Sequence, residues 1–254
     1  MKAYKFASKL VVAFLGLVFL GSVQALSLHR DGEDLYVSGP VQLGDDLILK
    51  AAHEDSPVRR LVLVNSPGGA FLASLRIARW VEDQRMSTVV VGHCLSACSL
   101  IFMAGEQRQF AQAQAGQPHL IGIHGPYVPS TGQLSSAGAQ IMLSYYRHRM
   151  GDRYDAAVME QAIYQMKDPT GLLLVPELGR PESTARPWHC ASGRTRRDSC
   201  TVYAHADALS LGLLTTAETG LVRVPAAMAR ASLGVSWTPP APGAVTAQAN
   251  ALGY

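Results

Sequence analysis

Gly92-His93-Cys94-Leu95-Ser96-Ala97-Cys98-Ser99-Leu100-Ile101-Phe102-Met103-Ala104-Gly105 decides how this chain is read. The residues before it, Thr88 to Val91, are β-branched and apolar, the pattern of a buried strand. Those from Ser96 to Ala104 are first small and then bulky and apolar, and Gly105 closes them, the pattern of a buried helix. Ser96 therefore falls where a strand turns into a helix N-terminus. Free backbone N–H groups and the positive helix end favour developing negative charge there, which suits a nucleophile. The same position also suits a plain N-cap. This stretch alone does not choose between the two.

Working outward, two further apolar runs end in chemically suggestive turns. Arg59-Arg60 leads into Leu61-Val62-Leu63-Val64, apolar on both faces as in a buried parallel strand, and Asn65-Ser66-Pro67-Gly68-Gly69 ends it. Paired glycines after a buried strand let the backbone take unusual dihedrals and approach a ligand closely. Leu120-Ile121-Gly122-Ile123 is another buried strand, ended by His124-Gly125-Pro126. Between these runs, 70–84 has a helical stripe of Leu72, Leu75, Ile77, Ala78 and Val81. Strand–helix–strand–helix alternation predicts an α/β fold with a mainly parallel sheet, whose C-terminal strand ends carry the ligand site.

The remaining chain fills in around this frame. Leu35 to Val41 predicts a strand running into a Gly-Pro turn, and 44–53 a short helix. Residues 107–117 are polar and are expected to connect. Helices are expected at 137–150 and 154–166, with a short amphipathic one over 204–215. Pro169, Pro176, Pro181 and Pro187 make 168–200 a loop-like insertion. After Pro225 the Ala, Pro and Gly content predicts a disordered tail over 226–254.

The first 25 residues read as a secretory leader. Lys2, Lys5 and Lys9 precede the apolar run Leu10 to Leu20, and Val23-Gln24-Ala25 offers small residues at a cleavage site. The run is short for a membrane span, so cleavage is expected rather than an N-terminal anchor, with no span left afterwards. The whole chain of 254 residues carries a formal charge of +3. Loss of those three lysines leaves the remainder formally neutral, so nothing argues for nucleic acid. Phosphate-loop and dinucleotide motifs are absent, and no cofactor is implied.

Export permits disulfides among Cys94, Cys98, Cys190 and Cys200. Their spacings do not match a zinc pattern, and no metal site is expected. A Cys190–Cys200 bridge is expected, since the intervening segment holds few regular elements and closing it contributes ~2–4 kcal/mol. Cys94 and Cys98 are harder to pair. A regular helix holds their β-carbons too far apart for easy bridging, and a turn at Cys94 would relieve that.

Taken together, Asn65-Ser66-Pro67-Gly68-Gly69, Gly92-x3-Ser96 with its apolar helix, and Ile123-His124-Gly125-Pro126 resemble the proteolytic subunit of Clp protease (ClpP) in the ClpP/crotonase superfamily. The resemblance covers 35–150 well and 201–216 loosely. It is nearer to the exported ClpP-like proteins, whose serine also lies between two cysteines. It implies repeated ββα units over a domain at 26–225, in a periplasmic or secreted protein. It also implies a homo-oligomer, with helices at 137–166 supplying apolar faces, and a peptide or protein substrate.

The resemblance assigns Ser96 as nucleophile and His124 as general base. It places the N–H groups of Gly69 and Ala97 in an oxyanion hole, with Gly68 shaping that turn. The spacings agree: 27 residues separate Gly69 from Ser96 and 28 separate Ser96 from His124, each a strand–helix pair. The family's triad acid precedes the closing helix, and counting back from Gly212-Leu213 lands on Cys200. Asp198 is the nearest acid and Asp207 its rival. Cysteines flank the serine where a G-x-S-x-G elbow has glycines, which disfavours an α/β-hydrolase. The expected function is a serine peptidase. The alternatives are a catalytically silent module that binds peptides or scaffolds envelope proteins, and a crotonase-type acyl-CoA enzyme.

Overall fold

The structure, a computed structural model, describes residues 26–112, 118–166, 170–179, 186–191 and 200–229. The expected leader at 1–25, Asp198 and residues 230–254 lie outside the described residues.

Two strands, β1 (Ser27–Asp31) and β2 (Asp34–Ser38), open the chain as a hairpin and lead into helix α1 (Asp45–Asp55). Then β3 (Arg60–Ser66), α2 (Phe71–Asp83), β4 (Ser87–Leu95) and α3 (Ala97–Met103) alternate as the apolar pattern predicts. Next come β5 (Arg108–Phe110), β6 (Leu120–Ile123), α4 (Ser136–Met150) and α5 (Ala156–Tyr164). Strands β7 (Leu172–Pro176), β8 (Trp188–Cys190) and β9 (Cys200–Val202) and a single turn of helix, α6 (Ala226–Ala229), complete it.

Among the described residues these strands form one sheet of nine. Its order is β1-β2-β3-β4-β6-β7-β8-β9, with β5 also on β4. The centre, β2-β3-β4-β6, is parallel, and antiparallel strands extend it at both ends. The central strands are apolar on both faces because both faces are covered. Leu61 and Leu63 of β3 join the helix-packed core with Ile77, Phe102 and Met103. Val62 and Val64 point the other way, onto Tyr36, Val89, Val91 and Met228.

Four expectations change. Residues 107–117 are not only a connection, since β5 lies within them and pairs parallel with β4. Arg108 there is buried and donates to the carbonyls of Gly105, Arg149, Gly212 and Leu213, so its polar character serves the interior. The loop-like segment holds β7, β8 and β9, whose runs of three to five residues are too short to show a period between the prolines. Residues 204–215 form turns rather than a helix. Asp207 Oδ1 takes the N–H groups of Leu209 and Ser210, and Gly212 has a φ of +70°. Finally, α6 lies in the stretch read as tail, and Met228 packs on the second face of the sheet.

Candidate active site

Ser96 sits between the last residue of β4 and the first of α3, with φ +54° and ψ −126°. A non-glycine residue in that region carries about 1–3 kcal/mol of strain and needs its surroundings to hold it there. The Ser96 N–H donates to Gly122 O of β6 at 2.8 Å. Its carbonyl accepts from the Ser99 N–H at 2.9 Å and from Ser99 Oγ. Ser99 Oγ has spent its one hydrogen, so it accepts from Tyr146 Oη on α4, 2.6 Å away. Tyr146 is fully buried, and burial pushes its hydroxyl well above the ordinary tyrosine range, which keeps it a donor. The Ser96 side chain makes no capping bond although Ser96 occupies the N-cap position of α3. The capping explanation of this serine therefore fails, and its Oγ is left for something else.

The turn after β3 is built against this elbow. Gly68 has φ +87°, and a β-carbon there would lie 2.4 Å from Leu95 O, 2.8 Å from the Ala97 nitrogen and 2.8 Å from Ser96 Cβ. Gly69 has φ +144°, and a β-carbon there would lie 2.1 Å from Val41 O. The turn is pinned on its far side, where the Val41 N–H donates to Gly68 O and the Ala70 N–H to Val41 O. Ser66 Oγ donates to Gly39 O and accepts the Gly68 N–H. Among the described residues no acceptor takes the N–H of Gly69 or of Ala97. Two free backbone donors thus stand beside a serine, a pattern suited to an oxygen acquiring negative charge.

Ser96, Ala97, Gly69 and His124 all line one cleft of about 570 Å3. Its other walls are apolar: Phe71, Pro126, Tyr127, Pro129 and Met142, with exposed Leu43, Leu72 and Val128 at the rim. His124 follows β6 directly and stacks on Tyr127, with ring centroids 5.6 Å apart. Its Nδ1 is buried without a hydrogen-bond partner, and burial pushes the imidazole down to about 4. No Ser96–His124 hydrogen bond is formed; the two share the cleft.

Of the acids considered, Asp198 lies outside the described residues, and Asp207 Oδ1 is used in its own turn. Both cysteine pairs are bridged. Cys190 and Cys200 face each other in register across β8 and β9. Cys94 and Cys98 join the end of β4 to the first turn of α3, as the turn between strand and helix permits. Among the described residues no cluster of side chains could hold a metal ion, and no helix is long and apolar enough to cross a membrane.

Several residues that shape the site escape the sequence reading. Gly122 carried a signal, since glycine inside a buried strand marks a close approach, here by Leu95. Ser99, Tyr146 and Tyr127 carried none, because their roles depend on which helix and loop pack against the elbow.

Residues 44–157 match the family model described as Clp protease. No curated protein matches the chain. Similar solved structures include two of a membrane-bound stomatin-specific protease, one a serine-to-alanine mutant and the other a lysine-to-alanine mutant with a substrate peptide. Both are 14% identical, with a TM-score of 0.38 over 51% of this chain. The match spans 67% and 64% of those chains, about two thirds of their length. Over residues 44–157 the chain is similar to the Clp proteases, and its mixed α/β fold is consistent with a ClpP-like one.

Proposed function

We propose that this protein is an exported ClpP-like serine peptidase working through Ser96 and His124. The observation that carries the reading is the serine itself. It is held in a strained elbow, makes no capping bond, and opens with two free N–H donors onto a cleft shared with a histidine. Ser96 Oγ attacks the scissile carbonyl while His124 takes its proton, and the oxyanion that forms is held by Gly69 and Ala97 N–H. Collapse of that intermediate expels the amine, to which His124 returns the proton, and water then releases the acyl group by the same steps. With no acceptor at His124 Nδ1 among the described residues, the centre is a Ser–His dyad unless Asp198 reaches it.

The apolar cleft supports a polypeptide substrate. The two disulfides fit an extracytoplasmic location, and we assign 1–25 to a leader and 26–225 to the ClpP-like domain. Homo-oligomerisation belongs to the same reading, supported by Ile141 and Tyr164 exposed on α4 and α5. The unpartnered His124 Nδ1 also favours a second reading, a silent peptide-binding module of the same fold.

The test is the pH dependence of acylation by a fluorophosphonate probe. A histidine accepts a proton only when neutral, so acylation is present above its folded pKa and lost as pH falls through it. The dyad predicts an acid limb near pH 4, where burial has placed His124, rather than near the ordinary histidine value of about 6.5. A limb near 7 shows that a carboxylate, Asp198 first, sits on Nδ1. Absence of acylation at any pH overturns the enzyme reading in favour of the silent module.

A further inference from the structure

We propose that the Cys94–Cys98 disulfide is a positioning device for the nucleophile: it is the covalent clamp that holds Ser96 in its elbow. The inference rests on Ser96 being the nucleophile.

An extended chain covers ~3.3 Å per residue, so four residues of strand would carry Cys98 ~13 Å from Cys94. Their Cα atoms are 5.2 Å apart. The chain therefore reverses between them, and Ser96 is the residue between the two cysteines with a positive φ. The crosslink spans one hinge, and that hinge is the serine.

The local sequence gives the elbow no other covalent or conformational help. The residue in the disfavoured region is not glycine, and its neighbours Leu95 and Ala97 are not glycines either. The hydrogen bonds to Gly122 O and from Ser99 favour the elbow, yet each is a single contact that a relaxed turn could exchange for another. The bridge cannot be exchanged. Both cysteines are fully buried, so the clamp lies beneath the cleft and does not contact substrate. Ala97, one of the two free N–H donors, lies inside the same closed loop. Relaxing the loop therefore displaces Ser96 Oγ and one oxyanion donor together. The second bridge, Cys190–Cys200, ties two strands at the far end of the sheet and serves as the internal control.

The experiment compares the Cys94→Ala/Cys98→Ala and Cys190→Ala/Cys200→Ala variants with the intact protein. A Cys94→Val/Cys98→Ala variant refills part of the lost volume and stands in if the first does not fold. Peptide hydrolysis is followed as kcat and KM, and the 13Cα and 13Cβ shifts of Ser96 report its backbone region. Opening the first bridge is expected to lower kcat by roughly ten- to a hundred-fold, with KM within about two-fold, and to move the Ser96 shifts away from the positive-φ pattern. Opening the second is expected to change neither kcat nor the Ser96 shifts. Unchanged kcat or unchanged Ser96 shifts in the first variant overturn the proposal, as does an equal loss in both variants. If the intact protein hydrolyses no peptide, the peptidase reading fails by itself. The Ser96 shifts then still decide whether the bridge holds the elbow.

Discussion

Replacing Ser96 with alanine is expected to lower kcat for peptide hydrolysis by about a thousand-fold or more while leaving the fold intact. On the proposed chemistry the activity loss follows from removing the Oγ that forms the acyl-enzyme; what survives is the modest help of bound water and the proposed oxyanion donors. The stability expectation follows from the geometry. The Ser96 side chain caps nothing, and alanine meets the same disfavoured φ as serine, so unfolding free energy should change by less than about 1 kcal/mol. Steady-state hydrolysis and denaturant unfolding check the two halves. A Ser96→Ala protein that still turns over peptide would remove the nucleophile assignment. One that unfolds would return the serine to a structural role.

Gly68→Ala is expected to damage both stability and catalysis. The added methyl would lie 2.4 Å from Leu95 O and 2.8 Å from both the Ala97 nitrogen and Ser96 Cβ, at a φ of +87°. The dihedral cost and the overpacking together amount to about 2–4 kcal/mol. The clash falls on the backbone that carries the proposed nucleophile and one proposed oxyanion donor, so kcat should drop by roughly a hundred- to a thousand-fold beyond any loss of folded protein. Gly44→Ala separates the two effects. Gly44 has φ +96° with nothing within 4 Å of the added carbon, so it carries the dihedral cost alone and should leave kcat unchanged. Denaturant unfolding and kcat measured on the folded fraction of both variants check this. A Gly68→Ala protein with normal kcat would detach the β3 turn from the chemistry.

The parts of the fold legible in the sequence are those whose signal is local. Leu61 to Val64 and Thr88 to Val91 announce buried strands by being apolar on both faces, and both sit at the sheet centre. The order strand, glycine turn, helix, strand, serine turn, helix then makes the crossovers and places the two turns side by side. From its own surroundings His124 was legible as a histidine at a strand end, and as a general base only through the family resemblance; the parallel pairing of β6 beside β4 brings it to the cleft of Ser96. Long-range contacts were not legible. Arg108 looks like one more polar residue of a connection, yet it is buried among carbonyls supplied from 105, 149, 212 and 213. Asp207 looks like an eligible triad acid by sequence distance, and the turn it stabilises has already taken it. The relay from Tyr146 through Ser99 to the Ser96 carbonyl joins residues whose partnership depends on how α4 packs on α3.

A crystal structure with a peptide boronate bearing an apolar side chain is expected to show a covalent bond from Ser96 Oγ to boron. One boron oxygen should accept from the Gly69 and Ala97 N–H groups at about 2.7–3.1 Å, with the side chain lying in the cleft formed by Phe71, Tyr127 and Met142. Boron bonded to another residue, or a boron oxygen turned away from both N–H groups, would contradict it.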